Sequence, residues 1–336
     1  MADLSVKYMG LHLKNPIIAG SSGLTATIND LQTLEQSGVG AVVMKSVFEE
    51  QIFLDVDYLR EHDLVNNLSH IQHFETSDYT EKRIRREYLE SCEQNIREAK
   101  KKLTIPVIAS INCIFAGGWT SFASRLQDAG ADALELNIAI QPFSKIYSAT
   151  DIEQLHLDII HKVRAELTIP IAVKISPYFA NLNRVIDNIA ATGVDGIVLF
   201  NRFISPDIDI KKMQVVVASN KYSSSAELTN SLRWIAMKCG EVPCDLCAST
   251  GVHTGADVIK ILLAGGAATQ IASAIYNNGA KQVGLMLEEL ETWMAEKGYD
   301  SVSRFAGTMS SLETNTPVSY ERIQFMKYYT QGGQIE

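Results

Sequence analysis

Residues 170–201 read PIAVKISPYFANLNRVIDNIAATGVDGIVLFN and contain one complete strand–helix–strand unit. Pro170–Ser176 and Gly196–Asn201 are short apolar runs, which are typical of buried strands. Leu182–Thr192 between them has the apolar spacing of a helix, and Gly193 follows it where helices commonly end. A helix between two strands of this kind predicts a parallel pair joined by a crossover.

The same unit recurs on both sides of this stretch, so that apolar strands and amphipathic helices alternate eight times. Eight such units predict a single (β/α)₈ barrel domain over residues 1–336. A doubly wound open sheet is the alternative, but no Gly-x-Gly-x-x-Gly turn follows the first strand. A long insertion follows the second strand at 49–82, and residues 301–336 are expected to form a C-terminal tail. The predicted strands are Asn15–Ser21, Ala41–Val47, Pro106–Asn112, Ala133–Ile138, Pro170–Ser176, Gly196–Asn201, Cys244–Ser249 and Ala268–Ala274.

The bulk composition is that of a globular protein, with 46% hydrophobic and 21% charged residues. A net charge of −9 argues against a nucleic-acid surface, because such surfaces need clustered lysine and arginine. Neither a signal peptide nor an apolar run of about 20 residues is evident, so membrane binding is not expected. The odd number of cysteines does not suit a disulfide framework. A reduced, cytoplasmic location is therefore expected.

Polar residues at the ends of the predicted strands mark the candidate site, because barrel enzymes carry their chemistry there. Lys45 and Lys174 interrupt otherwise apolar strands, and Arg202 follows the sixth strand. An internal ion pair, for example between Lys174 and Glu135, would explain one buried lysine. Three cations at three strand ends favour an anionic ligand at the barrel mouth instead.

A second signal lies after the seventh and eighth strands, where barrels commonly bind phosphate. Thr250 and Gly251 precede the seventh helix, and Ser273 follows the eighth strand. Backbone N–H groups at such a helix start attract phosphate. The alternative is that the glycine only shapes a turn, and many phosphate-handling isomerases would show the same signal.

Taken in order, these segments resemble the dihydroorotate dehydrogenase family over most of the chain. The resemblance is carried by Asn15–Ser21, Lys45-Ser46, Leu134–Asn137, Val173–Tyr178, Asn201, Thr250–Gly255 and Ile261–Ala267 with Gln270–Ala274. It implies an FMN-dependent oxidoreductase of pyrimidine biosynthesis that transfers a hydride from a small acidic substrate to the flavin. Related barrels often pair, so a homodimer is also expected.

The resemblance implies a role for each matched residue. Lys174 would lie at the N1/O2 edge of the flavin, where a cation stabilises the charge of the reduced ring. Lys45 and Arg202 would act in catalysis, Arg202 by pairing with a substrate carboxylate. The expected FMN-binding residues are Ala19, Gly20, Ser21, Lys45, Ser46, Asn112, Asn137, Lys174, Asn201, Thr250, Gly251, Ala272 and Ser273.

Two segments depart from the family pattern. Family members place a Cys or Ser base three residues after the Asn of the fourth strand, where this chain has Ile140. Cys113 could replace that base, although a small apolar filler is the better interpretation. The insertion 49–82 does not match the family's substrate loop and is expected to act as a lid. His156 is expected on the surface of a helix.

Three functions remain open from the sequence. The first is oxidation of dihydroorotate or a related acid. The second is a flavin-free isomerase or aldolase, in which Lys45 or Lys174 would form a Schiff base. The third is a non-catalytic FMN-binding protein, which Ile140 would suit. No metal site is expected, because Cys244 and Cys247 would point to opposite faces of a strand.

Overall fold

A computed structural model describes most of the chain. The described residues are 2–48, 75–112, 118–138, 140, 147–203, 206–217, 221–314 and 320, and the side chains of 75–85, 118, 119 and 121 are not among them. Most of the predicted lid and much of the predicted tail therefore lie outside the described residues, as does Cys113.

Thirteen strands are present in the described ranges. They are β1 (Val6–Tyr8), β2 (Leu11–Leu13), β3 (Ile17–Ala19), β4 (Ala41–Val43), β5 (Val47–Phe48), β6 (Val107–Asn112), β7 (Ala133–Asn137), β8 (Ile171–Ile175), β9 (Gly196–Leu199), β10 (Pro206–Asp209), β11 (Gln214–Val217), β12 (Asp245–Ser249) and β13 (Ala268–Ile271).

Eight of these strands close into a parallel barrel. The sheet runs β4-β3-β13-β12-β9-β8-β7-β6, and β4 also pairs with β6, which joins the two ends of the row. The short strand β5 continues alongside β6. All eight barrel strands are buried along almost their whole length, because side chains fill the barrel on one face and helices cover the other.

The helices follow their strands and cover the barrel. They are α1 (Ile28–Ser37), α2 (Glu75–Lys102), α3 (Gly118–Asp128), α4 (Ala149–Glu166), α5 (Leu182–Ala190), α6 (Leu228–Lys238), α7 (Gly255–Ala264), α8 (Ser273–Asn278) and α9 (Gln282–Lys297). Thr254 caps α7, since its side chain accepts a hydrogen bond from Asp257 N–H. This cap fixes where the chain leaves β12, and therefore where Thr250 and Gly251 lie.

The (β/α)₈ barrel predicted from the sequence is confirmed. The barrel strands are one to four residues shorter than predicted, since the structure begins the first at Ile17 and ends the eighth at Ile271. Two hairpins were not predicted, namely β1–β2 before the barrel and β10–β11 after β9. Two helices, α8 and α9, follow β13.

The buried hydrophobic side chains of the described ranges form two clusters. The larger fills the layer between the barrel and its helices. The smaller lies inside the barrel and includes Tyr8, Met9 and Leu13 from the β1–β2 hairpin, together with Ile18 and Cys247 from barrel strands. The hairpin therefore closes the end of the barrel at which the strands begin.

The second hairpin, β10–β11, projects into solvent. Ile208 pairs with Val215 across the two strands, and both side chains are exposed. Val217, Ile210 and Met213 on the same hairpin are also exposed. Among the helices of the described ranges, none combines the length and the apolar character needed to cross a bilayer.

Candidate active site

A polar cleft lies at the end of the barrel where the strands finish. It is lined by residues at the ends of β8, β12 and β13 and by residues that follow β3, β9, β12 and β13. Eight residues singled out in the sequence line it, namely Ser21, Lys174, Asn201, Arg202, Thr250, Gly251, Ala272 and Ser273. The structure thus brings together residues that are up to 252 positions apart, from Ser21 to Ser273.

Lys174 lies at the floor of this cleft in a buried polar cluster. Its Nζ donates to Gln270 Oε1 at 2.8 Å and lies 3.7 Å from Glu135 Oε1. Gln270 Nε2 donates in turn to Glu135 Oε2. The structure therefore shows the internal ion pair considered for Lys174, while the binding of an anionic ligand by this cleft-lining lysine stays a prediction.

Thr250 and Gly251 form a tight turn at the end of β12. Both have left-handed backbone angles, φ 75° and φ 84°, which Gly251 adopts without steric cost. A Cβ at Gly251 would lie 2.7 Å from Leu228 Cα, so the backbone at the start of α6 is packed directly against this glycine. The glycine is required here by both its conformation and the close approach.

Ser223 joins the two segments predicted to bind phosphate. Its Oγ accepts from Gly251 N–H at 3.3 Å and lies 3.1 Å from His253 Nε2. Its backbone N–H donates to Ser273 Oγ at 3.1 Å. Hydroxyl groups and a backbone N–H therefore converge between β12 and β13, the type of donor set that recognises an anionic oxygen.

Of the three asparagines expected to bind FMN, only Asn201 lines the cleft. Asn201 Nδ2 donates to Asn137 Oδ1 at 2.7 Å, which links the ends of β9 and β7. Asn112 is buried at the end of β6. Amides offer both donors and acceptors, as the polar edge of a flavin ring requires.

A chain of three serine hydroxyls runs from the cleft into the barrel wall. Ser21 Oγ is 2.9 Å from Ser46 Oγ, which is 2.7 Å from Ser110 Oγ. Ala19 and Gly20 precede Ser21 at the end of β3, and Gly20 N–H donates to Ile271 O at 2.9 Å. These contacts fix the first, second and third strand ends relative to one another.

Lys45 lies apart from Lys174. Its side chain is exposed and lines a separate cavity between β4 and α2, which Cys92 also lines. Burial and the neighbouring Glu93 carboxylate raise the pKa of the Cys92 thiol to about 11, against a smaller opposing effect of Lys45. Cys92 is therefore a thiol, not a thiolate, at neutral pH.

Arg202 reaches the cleft, but its guanidinium is already engaged. Nε donates to Glu227 Oε2 at 2.8 Å, and a terminal nitrogen donates to Lys221 O at 2.9 Å. Arg202 therefore forms an ion pair with Glu227. Tyr178 at the neighbouring strand end is exposed and stacks on Phe203, with ring centroids 5.9 Å apart.

Ile140 is half-buried and packs against the hydrophobic core. The expectation that His156 lies on the surface is wrong, because it is buried within α4. Its Nδ1 lies 2.7 Å from Ile152 O, and its ring meets Phe179 edge-on. Burial lowers the pKa of His156, so the ring is neutral near pH 7.

Two site residues were missed in the sequence. Gln270 belonged to a matched segment but was given no role, although a buried glutamine within an apolar strand was the available signal. Ser223 stands in a polar loop before α6, where no local pattern distinguishes it from its serine neighbours. In the described part of the chain, no group of three or more His, Cys, Asp or Glu side chains could bind a metal ion.

The donor set of the cleft fits FMN. Lys174, Asn137 and Asn201 supply a cation and amides for a polar ring edge, while Ser273 and the Thr250–Gly251 turn supply donors for a phosphate. Glu135 Oε1 is buried and has no hydrogen-bond partner among the described residues, so the charge of Lys174 is balanced by a carboxylate that is itself incompletely satisfied.

The chain matches a known family over most of this architecture. The family model described as dihydroorotate dehydrogenase matches residues 84–294. Three curated relatives are named dihydroorotate dehydrogenase B (NAD(+)), catalytic subunit. The one from Thermoplasma acidophilum is 25% identical, over 91% of this chain and 99% of the relative. The one from Pyrococcus abyssi is 26% identical, over 90% and 98%. The one from Methanosarcina acetivorans is 27% identical, over 89% and 93%. With a matching family model over more than half of its length and the barrel that the family implies, this chain belongs to the dihydroorotate dehydrogenase family.

Proposed function

We propose that this protein is an FMN-dependent oxidoreductase that acts on a CH–CH bond of dihydroorotate or a related small acidic substrate. The observation that carries the proposal is the meeting of Lys174 with the Thr250–Gly251 turn and Ser273 in one cleft of a dihydroorotate dehydrogenase family barrel. The relatives' names supply the substrate, and their role would place the protein in pyrimidine biosynthesis.

FMN, when bound, supplies the hydride acceptor. Lys174 would hold the polar edge of the ring, and its cation would favour the reduced, negatively charged form. Asn112, Asn137 and Asn201 would orient the ring and substrate through their amides. Ala19, Gly20, Ser21 and Ser46 would line the ring, with the serine hydroxyl chain fixing their positions. Gly251, Thr250, Ala272 and Ser273 would bind the phosphate.

The substrate side of the proposal rests on fewer residues. Arg202 is the proposed contact for an acidic substrate in the cleft, and it would have to share its guanidinium between Glu227 and that substrate. Lys45 lines a separate cavity, so its proposed catalytic role requires the substrate to extend into that cavity. Ile140 cannot accept a proton, so removal of the substrate proton must involve a different group from the family's Cys or Ser. Dihydroorotate itself is therefore the first compound to test, and other small acids follow.

Electron transfer beyond the flavin would use a partner. The relatives named above are catalytic subunits of NAD(+) enzymes, which implies a second subunit in those proteins. This chain carries no Gly-x-Gly-x-x-Gly fingerprint after its first strand and no cluster of cysteines with iron–sulfur spacing. We propose the same division of labour here, in a cytoplasmic protein whose whole chain forms one domain and which pairs as a homodimer.

The first experiment asks whether the purified protein binds FMN. We expect a yellow protein that releases FMN on denaturation, in a ratio close to one per chain. A colourless protein that cannot be reconstituted with FMN would contradict the proposal. Borohydride trapping with phosphorylated carbonyl compounds would then test the aldolase alternative, in which Lys45 or Lys174 forms a Schiff base.

The second experiment asks whether the bound flavin is reduced by dihydroorotate. Anaerobic mixing should bleach the flavin absorbance. A stable yellow complex that neither dihydroorotate nor other small acids bleach, although dithionite does, would favour the non-catalytic FMN-binding protein. Ile140 at the position of the family base is the observation that keeps this second candidate in view.

A further inference from the structure

Glu135 is a buried carboxylate to which the proposed mechanism gives no role. It lies on β7, two residues before Asn137, and is 1% exposed. Its two oxygens face the two groups at the floor of the cleft, since Oε2 accepts from Gln270 and Oε1 lies 3.7 Å from Lys174 Nζ. A buried negative charge therefore stands directly behind the cation that faces the cleft.

We propose that Glu135 is a positioning residue that, together with Gln270, fixes Lys174 and offsets part of its positive charge, and thereby sets the reduction potential of the bound flavin. This assignment rests on the proposed function, because it needs FMN in the cleft. It concerns a residue that does not itself line the cleft.

The sign of the effect follows from electrostatics. A cation beside the reduced flavin stabilises its negative charge and raises the reduction potential. A carboxylate 3.7 Å behind that cation makes the pair nearly neutral when seen from the cleft. Removing the carboxylate charge leaves the cation uncompensated, so the flavin should become easier to reduce.

The surroundings of Glu135 indicate that its negative charge acts on other groups inside the barrel. Within the described residues, Glu135 Oε1 has no hydrogen-bond partner that would spread its charge. Burial raises the pKa of the Cys247 thiol and of the Tyr8 phenol, and the negative charge of Glu135 raises both further. Lys174 opposes this effect at Cys247. Glu135 is therefore close enough to act electrostatically on other groups inside the barrel.

The test compares the reduction potential of bound FMN in the wild-type protein and in Glu135→Gln. Glutamine keeps the shape and an acceptor oxygen for Gln270 but removes the charge. At a fixed solution potential, we expect the ratio of reduced to oxidised flavin to rise at least tenfold in Glu135→Gln. For a two-electron couple this corresponds to an increase of about 30 mV in the reduction potential. Asp245→Asn is the matched control, because Asp245 is a carboxylate at the far end of a barrel strand, beside Met9. Its potential should equal that of the wild type.

Equal potentials in wild type and Glu135→Gln, with FMN bound to both, would overturn this assignment and leave the proposed function standing. A wild-type protein without FMN would overturn both. Should Glu135→Gln not fold, Glu135→Asp keeps the charge and withdraws it by one methylene. That variant should shift the potential in the same direction by less, and an unchanged or lower potential would overturn the assignment.

The pairing itself is tested without flavin. In the apoprotein, Lys174→Met, Glu135→Gln and the double variant form a mutant cycle for the free energy of unfolding. If Glu135 compensates Lys174, each single variant should be destabilised and the double variant should be more stable than the sum of the single changes predicts. Additive changes would show that the pair is not coupled and would overturn the assignment.

Discussion

At the end of the barrel where the strands begin, the β1–β2 hairpin inserts Tyr8, Met9 and Leu13 among strand residues that are themselves apolar. The end where the strands finish is polar instead. It holds the charged groups of Lys174 and Glu135 and the amide of Gln270, which contact one another. The first arrangement lowers free energy by burying apolar area. The second costs desolvation energy and is retained where a ligand needs a fixed cation. The barrel strands therefore contribute to stability where they begin and to ligand binding where they finish.

The largest expected effect is a loss of stability when apolar packing is removed at the end of the barrel where the strands begin. Tyr8→Ala should lower the free energy of unfolding by about 3–5 kcal/mol, the range for removing a large buried aromatic side chain. FMN affinity of the folded protein should not change, because Tyr8 does not line the cleft. Chemical denaturation of the apoprotein measures the first quantity and flavin titration the second.

Tyr8→Phe is the matched control for that variant. The Tyr8 hydroxyl is buried beside the weakly hydrogen-bonding thiol of Cys247, so its removal should cost less than about 1 kcal/mol or stabilise the protein. A large loss of FMN affinity in Tyr8→Ala would show that the two ends are not independent.

The next largest expected effect is a loss of FMN affinity when the backbone is disturbed at the end of the barrel that carries the cleft. Gly251→Ala places a Cβ against Leu228 in a left-handed backbone conformation, so the Thr250–Gly251 turn must move. We expect FMN affinity to fall at least 100-fold, about 2.7 kcal/mol. Fluorescence titration of the apoprotein with FMN measures this loss.

Gly279→Ala separates the clash from the backbone strain. Gly279 also has a positive φ, 78°, but a Cβ there meets no atom within 4 Å. It should cost about 1–3 kcal/mol of stability and leave FMN affinity within about twofold of wild type. Equal losses of affinity in the two variants would argue against a specific role for the Thr250–Gly251 turn.

A smaller effect concerns acid lability near the cleft end. The folded-state pKa of His156 is lowered by burial below the value of about 6.5 in the unfolded chain. The unfolded state therefore binds more protons, so the stability from neutral His156 is complete above about pH 6.5 and is lost as the pH falls below it. The slope of unfolding free energy against pH measures this directly.

His156→Phe should flatten that slope while keeping a ring against Phe179. His161→Gln is the control, because His161 lies on the exposed side of the same helix. This variant should keep the wild-type slope. A flattened slope in His161→Gln would show that the acid effect does not come from His156.

The smallest expected effect is a change in stability with pH, and it concerns Asp245 at the end of the barrel where the strands begin. Burial raises the pKa of Asp245, against the opposing hydrogen bond from Met9 N–H. A carboxyl whose pKa is raised on folding contributes stability below its unfolded pKa and loses it as the pH rises. Asp245→Asn should therefore be slightly more stable than wild type at neutral pH, by about 0.5 kcal/mol or less. At about pH 3 the two thermal midpoints should coincide.

The barrel could be predicted because its signal repeats. Each strand is an apolar run followed by a helical period, and one such unit at 170–201 is enough to set the pattern for the rest. Lys174 could be predicted as a site residue because a lysine in an apolar strand needs a partner or a ligand. Its partner Glu135 was considered for the same reason.

The two hairpins and Ser223 could not be predicted in the same way. The β1–β2 strands have three residues each, which is too short for an alternating pattern to stand out. Ser223 acquires its role only through contacts with Gly251 and Ser273, 28 and 50 positions away. His156 could have been placed correctly, since it stands four residues from both Ile152 and Ile160 on the buried stripe of its helix.

The hairpin β10–β11 has a consequence for the handling of the protein. The barrel is a sheet without free edges, because β4 pairs with β6. The hairpin is a two-stranded sheet with exposed valine and isoleucine, and each of its strands has an outer edge that is not paired within the described residues. Open edges of this kind recruit further strands. In concentrated solution, self-association is therefore expected to begin at residues 206–217 and not to require unfolding of the barrel.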